Sequence, residues 1–273
     1  MTANMEKVNQ YINHFIEKMH QPSPADTKGN LKVGVDLGTA NIVLAVVDEE
    51  NRPVGGAICP AAVVQDGLVV DYLGAVEIVG RLKEEVEAQL GVALSTAAGA
   101  VPPGTAGNDK KAIKNILEAV MFDVRDIIDE PTAASAILKD KNCAVVDVGG
   151  GTTGISILKA GEVIYTADEP TGGTHMTLTL SGYYDISFEK AEAKKKDKAM
   201  EAEVISIIQP VIEKMALITK KHISAFDVET IYIVGGSSSF TAFTDIFTNQ
   251  IGIPCLKPEH PLFITPLGIA INS

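Results

Sequence analysis

Apolar and polar positions alternate along this chain in two rhythms, and the boundaries between them mark its elements. Met5, Val8, Tyr11, Ile12, Phe15, Ile16 and Met19 recur at steps of three and four, which predicts one apolar stripe on a helix over residues 1–20. Residues 21–30, QPSPADTKGN, are rich in Pro, Ser and Gly and read as a linker. The stripe has two readings: a terminal brace packed on the core, or a tethered helix that lies in a partner's groove. Two later stretches share a different plan. Residues 33–47, VGVDLGTANIVLAVV, and residues 143–158, CAVVDVGGGTTGISIL, each run from an apolar strand to an Asp, a Gly/Thr turn and an apolar return strand.

Between and beyond these hairpins the pattern is mixed. Short strands are expected at 61–64 and 68–70 around an Asp66-Gly67 turn and at 92–100, and 124–128 reads as a short strand or a connector. Helical spacing covers 75–90, with Val76, Val79, Leu82, Val86 and Leu90 on one side, and 109–120, where Asn108 is the expected N-cap. Asp129-Glu130-Pro131-Thr132 opens a short helix over 133–138, with Pro131 at a favoured first-turn position. Ala160-Gly161 is a hairpin-like turn, and a helix pattern follows over 175–181. Residues 188–203 are helix-prone and densely charged, and their lysine run reads as a solvated face. A strong amphipathic helix covers 204–222, with a kink or restart expected at Pro210. A buried strand at 231–234 leads through Gly235-Gly236-Ser237-Ser238-Ser239 into a helix over 240–251. Residues 261–271 close the chain with a capped helix rich in small side chains.

Composition narrows the class. The 273 residues suffice for one large domain or two lobes with real cores. Apolar residues make up 46% and charged residues 21%, an ordinary globular balance. A net charge of −12 argues against nucleic acid, whose phosphates call for a basic face. Cys59, Cys143 and Cys255 lie far apart with no CxxC, which suits a reducing cytoplasm, and the five histidines lack metal-ligand spacing. No apolar run reaches the ~20 residues of a membrane span, and the N-terminus lacks the apolar core of a signal peptide.

The two hairpins carry the chemistry. Consecutive glycines at 149, 150 and 151 let backbone N–H groups converge with no Cβ in the way, as a polyphosphate requires. Thr152 adds a hydroxyl, and Asp147 offers a carboxylate to a hydrated Mg²⁺, which keeps several of its waters. Taken alone, this is equally a glycine-rich hairpin turn with an exposed Asp. The partial copy at Asp36, Gly38 and Thr39 shifts the balance towards two half-domains facing one nucleotide. Glu130 sits at a helix mouth, either to orient an attacking water or to complement the helix dipole. The strand–Gly235–Gly236 turn is a third place where adenosine or phosphate meets exposed N–H groups.

In this order the segments resemble the five-part ATP-binding signature of the actin, sugar kinase and DnaK-type chaperone superfamily. Asp36-Leu37-Gly38-Thr39 is similar to the first phosphate motif and Glu130-Pro131-Thr132-Ala133-Ala134 to the first connecting segment. Residues 147–152 resemble the second phosphate motif, Val234-Gly235-Gly236-Ser237 the adenosine motif, and 265–271 the second connecting helix. Within that superfamily, ICPAAVVQDGLVVDYLGAVEIVGRLK (58–83) and VPPGT (101–105) resemble the EutJ-type ethanolamine-utilisation proteins over nearly the whole chain.

The resemblance implies an α/β, actin-like (ribonuclease H-like) ATPase fold: two lobes around a nucleotide cleft, preceded by the N-terminal helix. Residues 1–30 would be helix and linker, 31–129 with 264–273 the first lobe, and 130–263 the second. ATP and Mg²⁺ would be the cofactors. Asp36 and Asp147 would hold the hydrated metal. Gly38, Thr39, Gly149, Gly150, Gly151 and Thr152 would cradle phosphates, with Asn41 as an added donor. Gly235, Gly236 and Ser237 would meet the adenosine, and Glu130, with Asp147 and Thr152, would serve hydrolysis by polarising the water. Phosphoryl transfer asks for positioning and charge neutralisation rather than covalent help. The lysine that DnaK-type chaperones supply from an inserted region does not align here, so the implied ATPase is slow or absent. The sequence ends at Ser273 without a peptide-binding domain, so a client is expected to meet the lobes or the N-terminal helix.

Three functions follow from the resemblance. The first is an ATP-dependent, chaperone-like protein of ethanolamine utilisation, cytoplasmic or microcompartment-associated, with ethanolamine ammonia-lyase or microcompartment components as clients. The second is an actin-like scaffold, filament or adaptor without significant turnover. The third, a small-molecule kinase, lacks an evident carboxylate base for an acceptor hydroxyl. The N-terminal helix and linker also resemble the encapsulation peptides of microcompartment cargo.

Overall fold

The computed structural model describes residues 3–22, 29–65, 67–105, 107–138, 140 and 142–273. The middle of the linker and Asp66 of the expected hairpin turn lie outside the described residues.

The internal copy seen in the sequence is a duplication of sheet topology. In the first half, β1 (Lys32–Leu37), β2 (Asn41–Val47), β3 (Pro53–Pro60), β6 (Thr96–Val101) and β7 (Asp123–Asp129) form a sheet ordered β3-β2-β1-β6-β7. Beside it, β4 (Val64–Gln65) and β5 (Leu68–Val69) make a small hairpin. In the second half, β8 (Cys143–Val148), β9 (Thr153–Lys159), β10 (Glu162–Glu169), β11 (Ile231–Val234) and β12 (Cys255–Leu256) are ordered β10-β9-β8-β11-β12. Each sheet begins with an antiparallel meander and continues with parallel strands. The parallel strands are fed by crossover helices, as the geometry of such pairs requires.

Those helices are α2 (Tyr72–Leu90) and α3 (Gly107–Ala119) in the first half. In the second they are α5 (Gly173–Tyr184), α6 (Phe188–Lys196), α7 (Glu201–Ile223) and α8 (Phe243–Ile251). Two helices sit where the sheets meet: α4 (Glu130–Leu138) and α9 (Ile264–Ile271). They cross at a glycine, since a Cβ on Gly268 would lie 1.9 Å from the carbonyl oxygen of Ala133. Gly34 does the same for α9 on β1, where a Cβ would come within 2.4 Å of Pro266 O.

The N-terminal helix α1 (Ala3–His20) is a brace rather than a free helix. Met5, Val8, Ile12 and Phe15 are buried, in one cluster with Ala45 and Val47 of the first sheet and Val145, Leu158 and Tyr232 of the second. The Tyr11 hydroxyl donates to Asn51 O (2.6 Å), Asn4 donates to Leu138 O (2.7 Å), and the Glu259 N–H donates to Asn9 Oδ1 (3.0 Å). The apolar stripe was legible; its partner, a seam shared by both halves, was not.

Other boundaries move for local reasons. The helix expected from 75 opens at Tyr72, because the Asp71 side chain caps the Gly74 N–H. The helix expected from 133 already begins at Glu130, with Asp129 accepting from the Thr132 N–H. Asn108 lies inside α3 instead of capping it. The single charged helix over 188–203 divides at Asp197, and α7 runs through Pro210 without a restart. Strands β3 and β10 are additional to the sequence reading.

Candidate functional site

Asp36 and Asp147 occupy equivalent places, one on the central strand of each sheet just before its turn. The turns meet. A Cβ on Gly150 would come within 2.9 Å of Thr39 Cβ, so the second glycine turn fits against the first because it has no side chain. Gly38, Thr39, Glu130, Gly149, Gly150, Gly151 and Thr152 line one cavity of about 40 Å³, with Pro102 and Gly67 on its rim. That volume is far below the roughly 300 Å³ or more of a site that takes a small molecule.

The hydrogen bonds of this closed seam are specific. The Gly38 N–H donates to Asn41 O and the Gly149 N–H to Thr152 O, both at 3.0 Å, each closing its own hairpin. The Gly173 and Thr174 N–H groups, at the start of α5, donate to the carbonyls of Gly149 (3.0 Å) and Gly150 (2.8 Å). Asn41, at the head of β2, contributes its carbonyl to the first turn rather than a side chain to the cavity lining.

Behind this lining Asp36 and Asp147 are buried near Glu130, and each of the three holds its proton more tightly than usual. Burial first, then the Asp147 charge, pushes Asp36 up to about 7. Burial raises Asp147 to about 6, against the lowering effect of the Thr265 hydroxyl, which donates to Oδ2 at 2.6 Å. Glu130 is raised well above the carboxylate range by burial, then by Asp147, Asp36, Asp168 and Asp129. Such a cluster favours protons or a cation, since bare like charges in a desolvated site repel. Among the described residues no three acidic or imidazole side chains converge to ligate an ion directly. The donor set therefore fits a magnesium ion held through its own waters better than a stripped one.

The third glycine turn lies behind the second. A Cβ on Gly235 would meet Asp147 Oδ1 at 2.3 Å and Val148 O at 2.5 Å, and Gly235 has φ +85. Gly236 rests on Leu262, and Ser237 Oγ would be 2.2 Å from a Cβ on Gly173. The structure thus brings Gly235 and Ser237 beside the other turns, but neither lines the small cavity.

Two residues were missed. Lys195, read as part of a solvated lysine face, is largely buried: its Nζ donates to Gly173 O (3.1 Å) and Thr177 Oγ1 (2.7 Å) and pairs with Glu192 at 2.6 Å. Burial lowers its proton affinity, opposed by Glu192. Glu192 also accepts from Thr177 Oγ1 at 2.5 Å. The only signal in the sequence was an acid three residues ahead of one lysine in the run.

Two sheets of one strand order, with an acid-tipped glycine turn from each meeting at a cleft, define an actin-like ATPase fold of two lobes. MreB5 of Spiroplasma citri bound to AMPPNP shares it, with a TM-score of 0.69 at 15% identity over 88% of this chain and 95% of that one. The family model described as type IV pilus assembly protein PilM matches residues 117–258. The chain belongs to the family of the ethanolamine utilization protein EutJ. It is 43% identical to the protein of that name from Escherichia coli K12 over 92% of this chain and 89% of its relative. The crystal structure of EutJ from Carboxydothermus hydrogenoformans superimposes with a TM-score of 0.93 at 44% identity, covering 99% and 100% of the two chains.

Proposed function

We propose that this protein binds ATP with Mg²⁺ between its lobes and turns it over slowly, using the change in lobe closure to grip and release a client of ethanolamine utilisation. Ethanolamine ammonia-lyase and microcompartment components are the clients we favour. The observation that carries the reading is that Glu130 and both glycine turns line one cavity, with Asp36 and Asp147 buried near enough to raise the proton affinity of Glu130. The moving units are 31–129 with 264–273, and 130–263. A cavity of about 40 Å³ is too small for a nucleotide, so entry requires them to part at the Gly150–Thr39 seam.

In this reading Asp36 and Asp147 orient the waters of the metal. Magnesium, when bound, would neutralise charge on the phosphate oxygens. Gly38, Thr39, Asn41, Gly149, Gly150, Gly151 and Thr152 hold the phosphates, and Gly235, Gly236 and Ser237 the adenosine, with Lys195 and Glu192 alongside. Glu130 orients and polarises the attacking water. Nucleotide shifts the lobe equilibrium only through contacts that differ between open and closed forms, and the glycine turns supply them. Calorimetric titration with ATP, with and without Mg²⁺, tests the site: wild type shows a Mg²⁺-dependent component that Asp147→Ala lacks. Equal binding by both proteins would reject it.

A second reading, an actin-like scaffold or filament, is favoured by a different observation. Leu68, Val70, Tyr72 and Leu73 form an exposed apolar run on the first lobe. ATP- and concentration-dependent sedimentation would support it over the chaperone-like role.

A further inference from the structure

Helix α1 belongs to neither of the two units that must part, yet it is bonded to both. Its Tyr11 hydroxyl donates to Asn51 O (2.6 Å), in the turn that joins β2 to β3 of the first lobe. Its Asn4 amide donates to Leu138 O (2.7 Å), and its Asn9 Oδ1 accepts from the Glu259 N–H (3.0 Å), both in the second lobe. The Phe15 ring lies on the Gly56 backbone of β3 and edge-on to Phe263. The anchors at Asn51, Leu138, Glu259 and Gly56 are main-chain atoms. They are fixed to the body of each lobe, and no change of their own rotamers can follow a displacement. An α-helix of 18 residues spans about 27 Å and acts as one rod between them.

Two of these anchors stand at the far end of the lobes from the glycine turns. Along β1 and β2 the register sets Leu37 opposite Ile42 at the turn and Lys32 opposite Val47 at the other end, next to the turn that holds Asn51. Leu138 is the last residue of α4, whose first residue, Glu130, lines the cavity. Between these ends lies the crossing of α4 with α9, where Gly268 meets the Ala133 carbonyl too closely to admit a Cβ. That contact leaves no room to slide, so it serves as a fulcrum. Rotation about it that separates Thr39 from Gly150 must also shift Leu138 relative to Asn51. With α1 bonded to both, such a shift breaks a hydrogen bond or pulls the stripe of Met5, Val8, Ile12 and Phe15 off one side of its buried cluster.

We infer that α1 is a clasp: docked across both lobes it holds the two glycine turns together, and its release from one lobe lets the cleft open. Its contacts differ between the closed and open forms, which is what allows a docked helix to bias that equilibrium. The control of ATP entry rests on the nucleotide reading above; the clasp itself does not.

Thiol labelling of the full chain tests it without nucleotide. Thr152, in the cavity lining, and Cys255, on β12, are each 8% exposed, so Thr152→Cys in a Cys59→Ser background pairs a probe of the seam with a control of equal burial. Deleting residues 1–22 is expected to speed maleimide labelling at position 152 at least tenfold and to leave Cys255 unchanged. A synthetic peptide of residues 1–22 should slow it again. Asn4→Ala, Asn9→Ala and Tyr11→Phe together keep the apolar stripe and serve if the truncated protein does not fold; they should speed labelling at 152 at least threefold. Unchanged labelling at 152 overturns the proposal, and so does equal acceleration at 152 and 255, which would mean general loosening. Association of a fluorescent ATP analogue is followed in parallel and should quicken with the labelling. Faster labelling with no analogue binding by any form counts against the nucleotide reading alone. Analogue binding with unchanged labelling counts against the clasp alone.

Discussion

The Thr265 hydroxyl donates to Asp147 Oδ2 at 2.6 Å, tying the C-terminal helix to the carboxylate on the central strand of the second sheet. Since α9 also packs on β1 through Gly34, this one bond links the acid of one half to the body of the other. Removing it by Thr265→Val should raise the proton affinity of Asp147 above its value of about 6, because the bond favours the charged form. Carboxyl titration followed by NMR checks this, and Thr265→Ser should restore the wild-type curve.

The stability of the nucleotide-free protein should fall as pH rises. Asp36 titrates near 3.8 when unperturbed and near 7 in the native state, so between those values the folded protein binds more protons. The stabilisation is full below the lower value and is lost as pH climbs through the upper one. Asp36→Asn should flatten the profile and stabilise the protein at pH 8 by roughly 2–4 kcal/mol. Urea midpoints measured from pH 4.5 to 8.5 decide it; a rising wild-type profile across that window would contradict the assignment.

Phe15 is fully buried in α1, with its ring against the Gly56 backbone and edge-on to Phe263 at 5.5 Å. Phe15→Ala should cost roughly 3–5 kcal/mol. Deleting residues 1–22 should lower the thermal midpoint further, because it bares both halves of the seam. A truncated protein that melts like the full chain would mean that α1 is dispensable as a brace.

Two glycines should answer alanine in opposite ways. Gly268→Ala drives a Cβ into the Ala133 carbonyl at 1.9 Å, backbone against backbone, and should destabilise by about 3 kcal/mol or more. Gly182, on the exposed side of α5 with nothing within 4 Å, should gain up to about 1 kcal/mol from the better helix former. Chemical denaturation of the two variants separates them.

Gly150→Ala should wedge the lobes apart, since its Cβ would meet Thr39 at 2.9 Å. Small-angle scattering of the nucleotide-free variant should give a larger radius of gyration than wild type. The double variant with Thr39→Gly should return to the wild-type value. An unchanged radius in Gly150→Ala would show that the seam yields locally.

How far the sequence reached differs between strand and site. Strands β1, β2, β8 and β9 were legible because both faces are covered, so their residues are mostly apolar and almost all buried. Strand β10 was not, because charged and polar residues interrupt its short apolar stretch, EVIYTADE, and none of its residues is fully buried. Asp36, Glu130 and Asp147 could be picked out as acids at strand and helix ends, but their mutual repulsion could not, since it depends on their burial near one another. Lys195 was hidden in a run of similar residues, and only the return of α6 over Gly173 distinguishes it from Lys194 and Lys196.

By itself, then, the order of residues determined the local elements and the internal duplication, because periodicity and turn chemistry act over a few residues. Only the tertiary structure decided that the two turns touch, that α1 straddles both lobes and that the cavity between the turns is about 40 Å³. Those are contacts between segments a hundred residues or more apart. Close packing sets them through the absence of a Cβ at Gly34, Gly150 and Gly268 as much as through any side chain present.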